Sequence, residues 1–150
     1  MNMYLRSDCA NSNASLLLIL VELNIPEVVA EVSERFERYE AALAANNIDI
    51  MDDSFWNNDA TVRYSFEDRQ YGFDAIHAHR LKPAPFRVKG ERKRLELSTF
   101  GKDLATVNID FVFGANQIGR QSQTWVRFPD GLGWKVVAAH ASVETVPKME

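Results

Sequence analysis

The chain has 150 residues, 46% of them hydrophobic and 25% charged, which fits one globular domain with a sizeable core. Its net charge of -4 argues against a general nucleic-acid binder, whose affinity comes from neutralising phosphates. The single cysteine, Cys9, excludes an intrachain disulfide framework and a multi-cysteine zinc site, and makes the cytoplasm the expected compartment.

Residues 1–21 read as an N-terminal extension and residues 22–150 as one domain. Residues 1–15 are polar, a tail with no assignable role. The apolar run from Leu16 to Val21 falls far short of the roughly 20 residues a membrane span needs, so no membrane partner is expected. As a secretory signal it fails too, because Asp8 occupies the would-be basic region and no small-residue cleavage site follows.

The first helix is predicted from Pro26 to Ala45. Proline suits a first helical turn, and Asn24 is placed to cap it. Val28, Val32, Phe36, Tyr39 and Leu43 recur at spacings of three and four and form one apolar stripe. Asn46-Asn47 ends this helix, and Ile48 to Phe55 reads as a second, shorter one. Thr61 to Ser65 is a strand rich in β-branched and aromatic residues. A turn is expected at Asp68-Arg69-Gln70, then a helix from Gly72 to Arg80, stopped by Pro83 and Pro85. Phe86 to Phe100 and Leu104 to Phe113 read as long strands. The stretch from Gly119 to Ser142 reads as a hairpin turning at Pro129-Asp130-Gly131. Strict alternation along its second strand puts Trp134, Val136, Ala138, His140 and Ser142 on one inward face. Helices segregated from an antiparallel sheet make an α+β fold. A strongly curved sheet wrapped around the long helix leaves a conical cavity.

Several polar residues fall where that cavity must be. Arg63 lies between Val62 and Tyr64 and points inward if those two point out. A guanidinium taken inward needs an anionic or carbonyl partner, and a small anionic organic ligand is a candidate. Tyr39 on the helix stripe reads either as a core tyrosine or as a functional hydroxyl. Set beside Arg63, it would be favoured as phenolate and able to activate water or protonate a leaving nitrogen. Arg80 reads as a second carboxylate clamp or as a surface arginine at a helix C-terminus. His140 is a general base or a structural histidine. Gln121, Gln123, Trp125 and Arg127 share one strand parity, and Arg120, Ser122, Thr124 and Val126 share the other. Either set fits as the cavity wall, and the amides of Gln121 and Gln123 favour the set with Trp125 for a urea-like ligand. His77 and His79 are two apart on a helix and share no face, so no metal site is expected. The basic run Arg87, Lys89, Arg92, Lys93 and Arg94 reads as a solvated strand edge. Asp110 is the nearest acid for an isomerase, but its parity is that of Asn108 rather than of Val107 and Ile109.

Four spaced blocks give a family resemblance: Asn24-Ile25-Pro26-Glu27-Val28, Phe36-Glu37-Arg38-Tyr39-Glu40, Thr61-Val62-Arg63-Tyr64 and Gly119-Arg120-Gln121-Ser122-Gln123-Thr124-Trp125-Val126-Arg127. With the ending Gly-Trp-Lys-Val-Val-Ala-Ala-His-Ala-Ser, they resemble the AtzH-like proteins, including the HpxZ group named for oxalurate catabolism. These belong to the SnoaL-like branch of the nuclear-transport-factor-2-like superfamily. The resemblance covers roughly residues 22 to 144. It implies a cone-shaped fold, a homodimer packed through the sheets, and a small amidohydrolase of dicarboxylated ureas. Its important pair, a tyrosine and an arginine in the pocket, matches Tyr39 and Arg63. No cofactor is implied. The sequence departs from the family at Ile76-His77-Ala78-His79-Arg80, where a phenylalanine usually precedes the arginine, and from Lys82 to Arg94. Beside the hydrolase expectation stand an isomerase or cyclase of ketosteroid-isomerase type and a non-catalytic ligand-binding or assembly module.

Overall fold

The computed structural model describes residues 21–83 and 89–147. The expectations for Cys9, for the polar tail, for all but the end of the apolar run, and for Pro85, Phe86 and Arg87 lie outside the described residues. Helix α1 runs Pro26–Ala45 as expected and buries Val28, Val32, Phe36, Tyr39 and Ala42. Asn24 does not cap it. Ile25 takes the cap position without a side-chain bond, and Asn24 is spent on the sheet. Its Oδ1 accepts from the Thr99 N–H at 2.9 Å, and its own N–H donates to the Thr99 carbonyl at 3.0 Å. The entry to α1 is thereby pinned to a strand rather than closed on itself.

Helix α2 is Ile48–Asp53, with the Asn47 side chain accepting from the Ile50 N–H. It ends two residues earlier than expected, because Ser54 turns its hydroxyl back to the Ile50 carbonyl and Phe55 forms an isolated bridge with Val136. Strand β1 is Val62–Tyr64 and β2 is Arg69–Tyr71. The turn expected at 68–70 is thus partly strand, since Arg69 pairs with Tyr64 and Gln70 with Arg63. Helix α3 spans Phe73–Leu81, followed by β3 (Arg92–Phe100), β4 (Leu104–Gly114), β5 (Gln117–Phe128) and β6 (Gly133–Thr145). Within the described residues β3 starts at Arg92 rather than extending back to Lys89.

Among the described residues the strands form one six-stranded curved sheet in the order β2-β1-β6-β5-β4-β3. Every pairing is antiparallel except β1 against β6, which run parallel. The concave face closes over α1 around Phe36, Phe55, Phe111 and Trp125, all fully buried. This is the α+β architecture the element order calls for. Among the described residues no helix is long and apolar enough to cross a membrane.

One irregularity decides which side chains reach the interior. Between β5 and β6, Thr124 pairs with Ala138 but Trp125 pairs with Val136, so Val137 is an extra residue. Such a bulge reverses the alternation beyond it. Trp134 and Val136 are buried. Past the bulge it is Ala139 and Ala141, opposite Gln123 and Gln121, that share the concave side, while His140 stands opposite Ser122. The single inward face expected from Trp134 through Ser142 is therefore broken at Val137.

Candidate functional site

Tyr39 and Phe36 project from the buried stripe of α1. The Tyr39 ring packs against Phe55 with centroids 5.6 Å apart, and Phe55 carries the Arg80 guanidinium 4.4 Å above its ring, a cation–π contact in a dry setting. Arg80 is no surface arginine, since its side chain is 2% exposed. Its place follows from α3 geometry, in which Ile76 and Arg80, four apart, share the buried face. Arg80 Nη1 donates to Asp52 Oδ1 at 2.6 Å. The other oxygen of Asp52 lies 2.6 Å from His77 Nδ1. Nη2 of Arg80 is buried and has no hydrogen-bond acceptor among the described residues.

Arg63 points inward. It sits opposite Gln70, which is buried, and opposite Ala139 of β6, and its Nη1 donates to Gln70 Oε1 at 2.8 Å. A second polar group lies where α1 faces β5. Lys89 Nζ donates to both oxygens of Glu40 at 2.8 Å and to Gln121 Oε1 at 2.7 Å, and Gln121 Nε2 donates to Glu40 Oε1 at 3.1 Å. Burial pushes the Lys89 ammonium below its usual pKa against the upward pull of Glu40, and nearby Arg92 and Arg63 push the same way as burial. Arg63 thus lies within electrostatic reach of this cluster. Gln121, Gln123 and Trp125 are all buried, and Trp125 Nε1 donates to Gln123 Oε1 at 3.0 Å.

His140 is the candidate the fold excludes from the interior. It is exposed, and its ring meets Tyr64 edge-on at 5.6 Å on the convex face, because the Val137 bulge turns it away. The basic run is also not a uniformly solvated edge. Lys89 is drawn inside, and Arg92 donates to both oxygens of Glu37 at 2.7 and 3.0 Å, which holds that carboxyl below the usual glutamate range. Asp110 pairs with Arg120 across β4 and β5, on the parity opposite the buried Ile109 and Phe111. Among the described residues no group of three His, Cys, Asp or Glu is disposed to hold a metal. Two surface hollows of about 470 and 450 Å³ flank Gly133 and Arg127. Neither includes Tyr39, Arg63 or Arg80, so the candidate site rests on the buried polar groups and not on those hollows.

A family model described as AtzH-like matches residues 21–146. The chain belongs to the AtzH-like family. No curated protein sequence matches this AtzH-like chain. Among solved structures, it is 41% identical to a cystatin-like fold protein from Burkholderia xenovorans LB400, covering 85% of this chain and 99% of that one with a TM-score of 0.80. It is 38% identical to a DUF3225-family protein of unknown function from Pectobacterium atrosepticum SCRI1043, covering 81% and 94% with a TM-score of 0.76. A nuclear transport factor 2-like superfamily protein from Salmonella enterica serovar Typhimurium LT2 shares the fold at 19% identity, with coverage of 83% and 94% and a TM-score of 0.64.

Asp52, Glu40 and the inward turn of Lys89 are the site features that sequence patterning missed in this AtzH-like chain. Each looks like an ordinary helix-surface or strand-edge charge. The one available signal was that α2 carries two adjacent acids, Asp52 and Asp53, on a short helix beside an apolar Met51.

Proposed function

We propose that this AtzH-like protein is a small cofactor-free hydrolase that cleaves a carboxylated amide or ureide, with oxalurate among the candidates, at the buried polar groups between the helices and the concave face of the sheet. The observation that carries this reading is Arg80, a guanidinium 2% exposed whose Nη2 lacks an acceptor among the described residues. A buried donor left open is costly, and a bound carboxylate satisfies it. Arg63, also turned inward, adds a second cation suited to a carboxylate or to the oxyanion of a tetrahedral intermediate. Tyr39, one aromatic contact from Arg80 across Phe55, supplies a hydroxyl for proton transfer to the leaving nitrogen.

A ketosteroid-isomerase reading needs a carboxylate base facing the ligand. Asp110 faces the wrong way for this role, and the inward carboxylates Asp52 and Glu40 are taken up by Arg80 with His77 and by Lys89. The hydrolase reading includes a homodimer packed through the convex sheet face, supported by the exposed Tyr64 and Tyr71 rings there.

Ammonia release from oxalurate and a panel of carboxylated ureas tests the proposal. Tyr39→Phe and Arg63→Ala are each expected to lower turnover by about 100-fold while thermal unfolding stays cooperative. Folded variants with full turnover would exclude the mechanism. Saturable binding of a panel member without ammonia release would mark a ligand-binding module instead.

A further inference from the structure

We propose that His77 Nε2 is the proton-transfer group of this site and that Asp52 is its positioning residue, an inference that rests on the hydrolase reading. Asp52 uses its two oxygens separately, Oδ1 for Arg80 Nη1 and Oδ2 for His77 Nδ1, each at 2.6 Å. A carboxylate paired with a guanidinium is ionised and accepts only. Nδ1 of His77 therefore carries hydrogen, and in the neutral ring the lone pair is on Nε2. The ring plane is held from the other side by Phe73, stacked at 6.5 Å and 10°.

Exposure falls along this chain of contacts, from 44% for the His77 side chain through 17% for Asp52 to 2% for Arg80. The imidazole is thus open to water, while the guanidinium it is tied to presents its open Nη2 in the dry interior. Asp52 joins a buried guanidinium suited to an anionic substrate to an imidazole open to the attacking water. One turn of α3 fixes their spacing, because residues 77 and 80 are three apart.

In the step assigned to it, Nε2 takes a proton from water as the water oxygen bonds to the acyl carbon. The carbon–nitrogen bond then breaks, and that proton passes to the leaving nitrogen, which departs as ammonia or an amine. The second water proton stays on the new carboxyl group, and His77 returns to its starting form. His77 thereby replaces Tyr39 as the proton donor to the leaving nitrogen and leaves the Tyr39 hydroxyl to donate a hydrogen bond to the oxyanion.

The test uses the full chain and two readouts. With the panel substrate that wild type hydrolyses fastest, His77→Ala should lose about 100-fold in kcat with KM nearly unchanged, and free imidazole should restore much of the loss. Asp52→Asn should lower kcat about tenfold, because the amide no longer enforces the tautomer. If His77→Ala does not fold, His77→Gln, whose amide N–H still reaches Asp52, is read for the same kcat loss. Independently of turnover, diethyl pyrocarbonate should acylate His77 in wild type, and oxalate should protect it, as followed by peptide mass spectrometry. Protection without hydrolysis of any panel member would discard the hydrolase reading yet support His77 at the ligand. Unaltered kcat in the His77 variants, or modification that oxalate does not slow, would overturn the proposal.

Discussion

Lys89 lies in a run of basic residues, yet its ammonium donates to both oxygens of Glu40 and to Gln121. A charge run in sequence reads as a solvated edge because most such runs are. What reverses the reading here is a carboxylate 49 positions away, which no local pattern announces. The pair is only partly open to water, with side chains 22% and 12% exposed, so removing one partner leaves a poorly hydrated charge. Glu40→Gln is expected to lower stability by about 2 kcal/mol, with Lys89→Met in the same chain recovering part of the loss. Urea unfolding of the two variants checks both signs. Arg63 is the contrasting case, since alternation already set it on the face opposite to Val62 and Tyr64, and only the choice of side was left to its partners Gln70 and Ala139.

At the scale of elements, β4 and the hairpin were legible because alternation and turn residues are local properties, whereas β2 read as a turn and β3 read as longer than it is. The Val137 bulge was not legible, because it is defined only by the partner strand, where Thr124 and Trp125 face Ala138 and Val136. One skipped residue moved His140 to the convex face and put Ala139 behind Arg63. A second cross-strand constraint sits at Gly119, which pairs with Phe111. A Cβ there would lie 2.3 Å from Cε2 and Cζ of the Phe111 ring, so the glycine is the slot into which that buried ring fits. Gly119→Ala is expected to cost about 1–3 kcal/mol through overpacking, seen as a lower Tm. An unchanged Tm would mean that the ring moves freely.

For the molecule as a whole, curling one sheet around α1 divides the aromatic residues into two populations. Phe36, Phe55, Phe111 and Trp125 fill the concave side. Tyr64 and Tyr71, 38% and 60% exposed, meet edge to face at 6.1 Å on the convex side. Rings left on an open sheet face suit association with a second copy. In sedimentation velocity the wild-type chain is expected to run as a dimer, and Tyr71→Glu as a monomer with its secondary structure intact. A wild-type monomer at micromolar concentration, or a Tyr71→Glu dimer, would remove the convex face from consideration.

The sequence by itself determined the α+β class, the span of α1 and its buried stripe, the hairpin, and that Arg63 faces opposite to Val62 and Tyr64. These depend on periodicity and turn chemistry, which act over a few residues. Only the tertiary structure decided that β1 runs parallel to β6, that Asn24 ties to Thr99 instead of capping α1, that His140 faces outward, and that Asp52 joins His77 to Arg80. Those outcomes depend on register and on charge partners brought together from distant parts of the chain. Burial makes an unpaired polar group costly, so the fold selects such partners only when packing brings them within hydrogen-bonding distance.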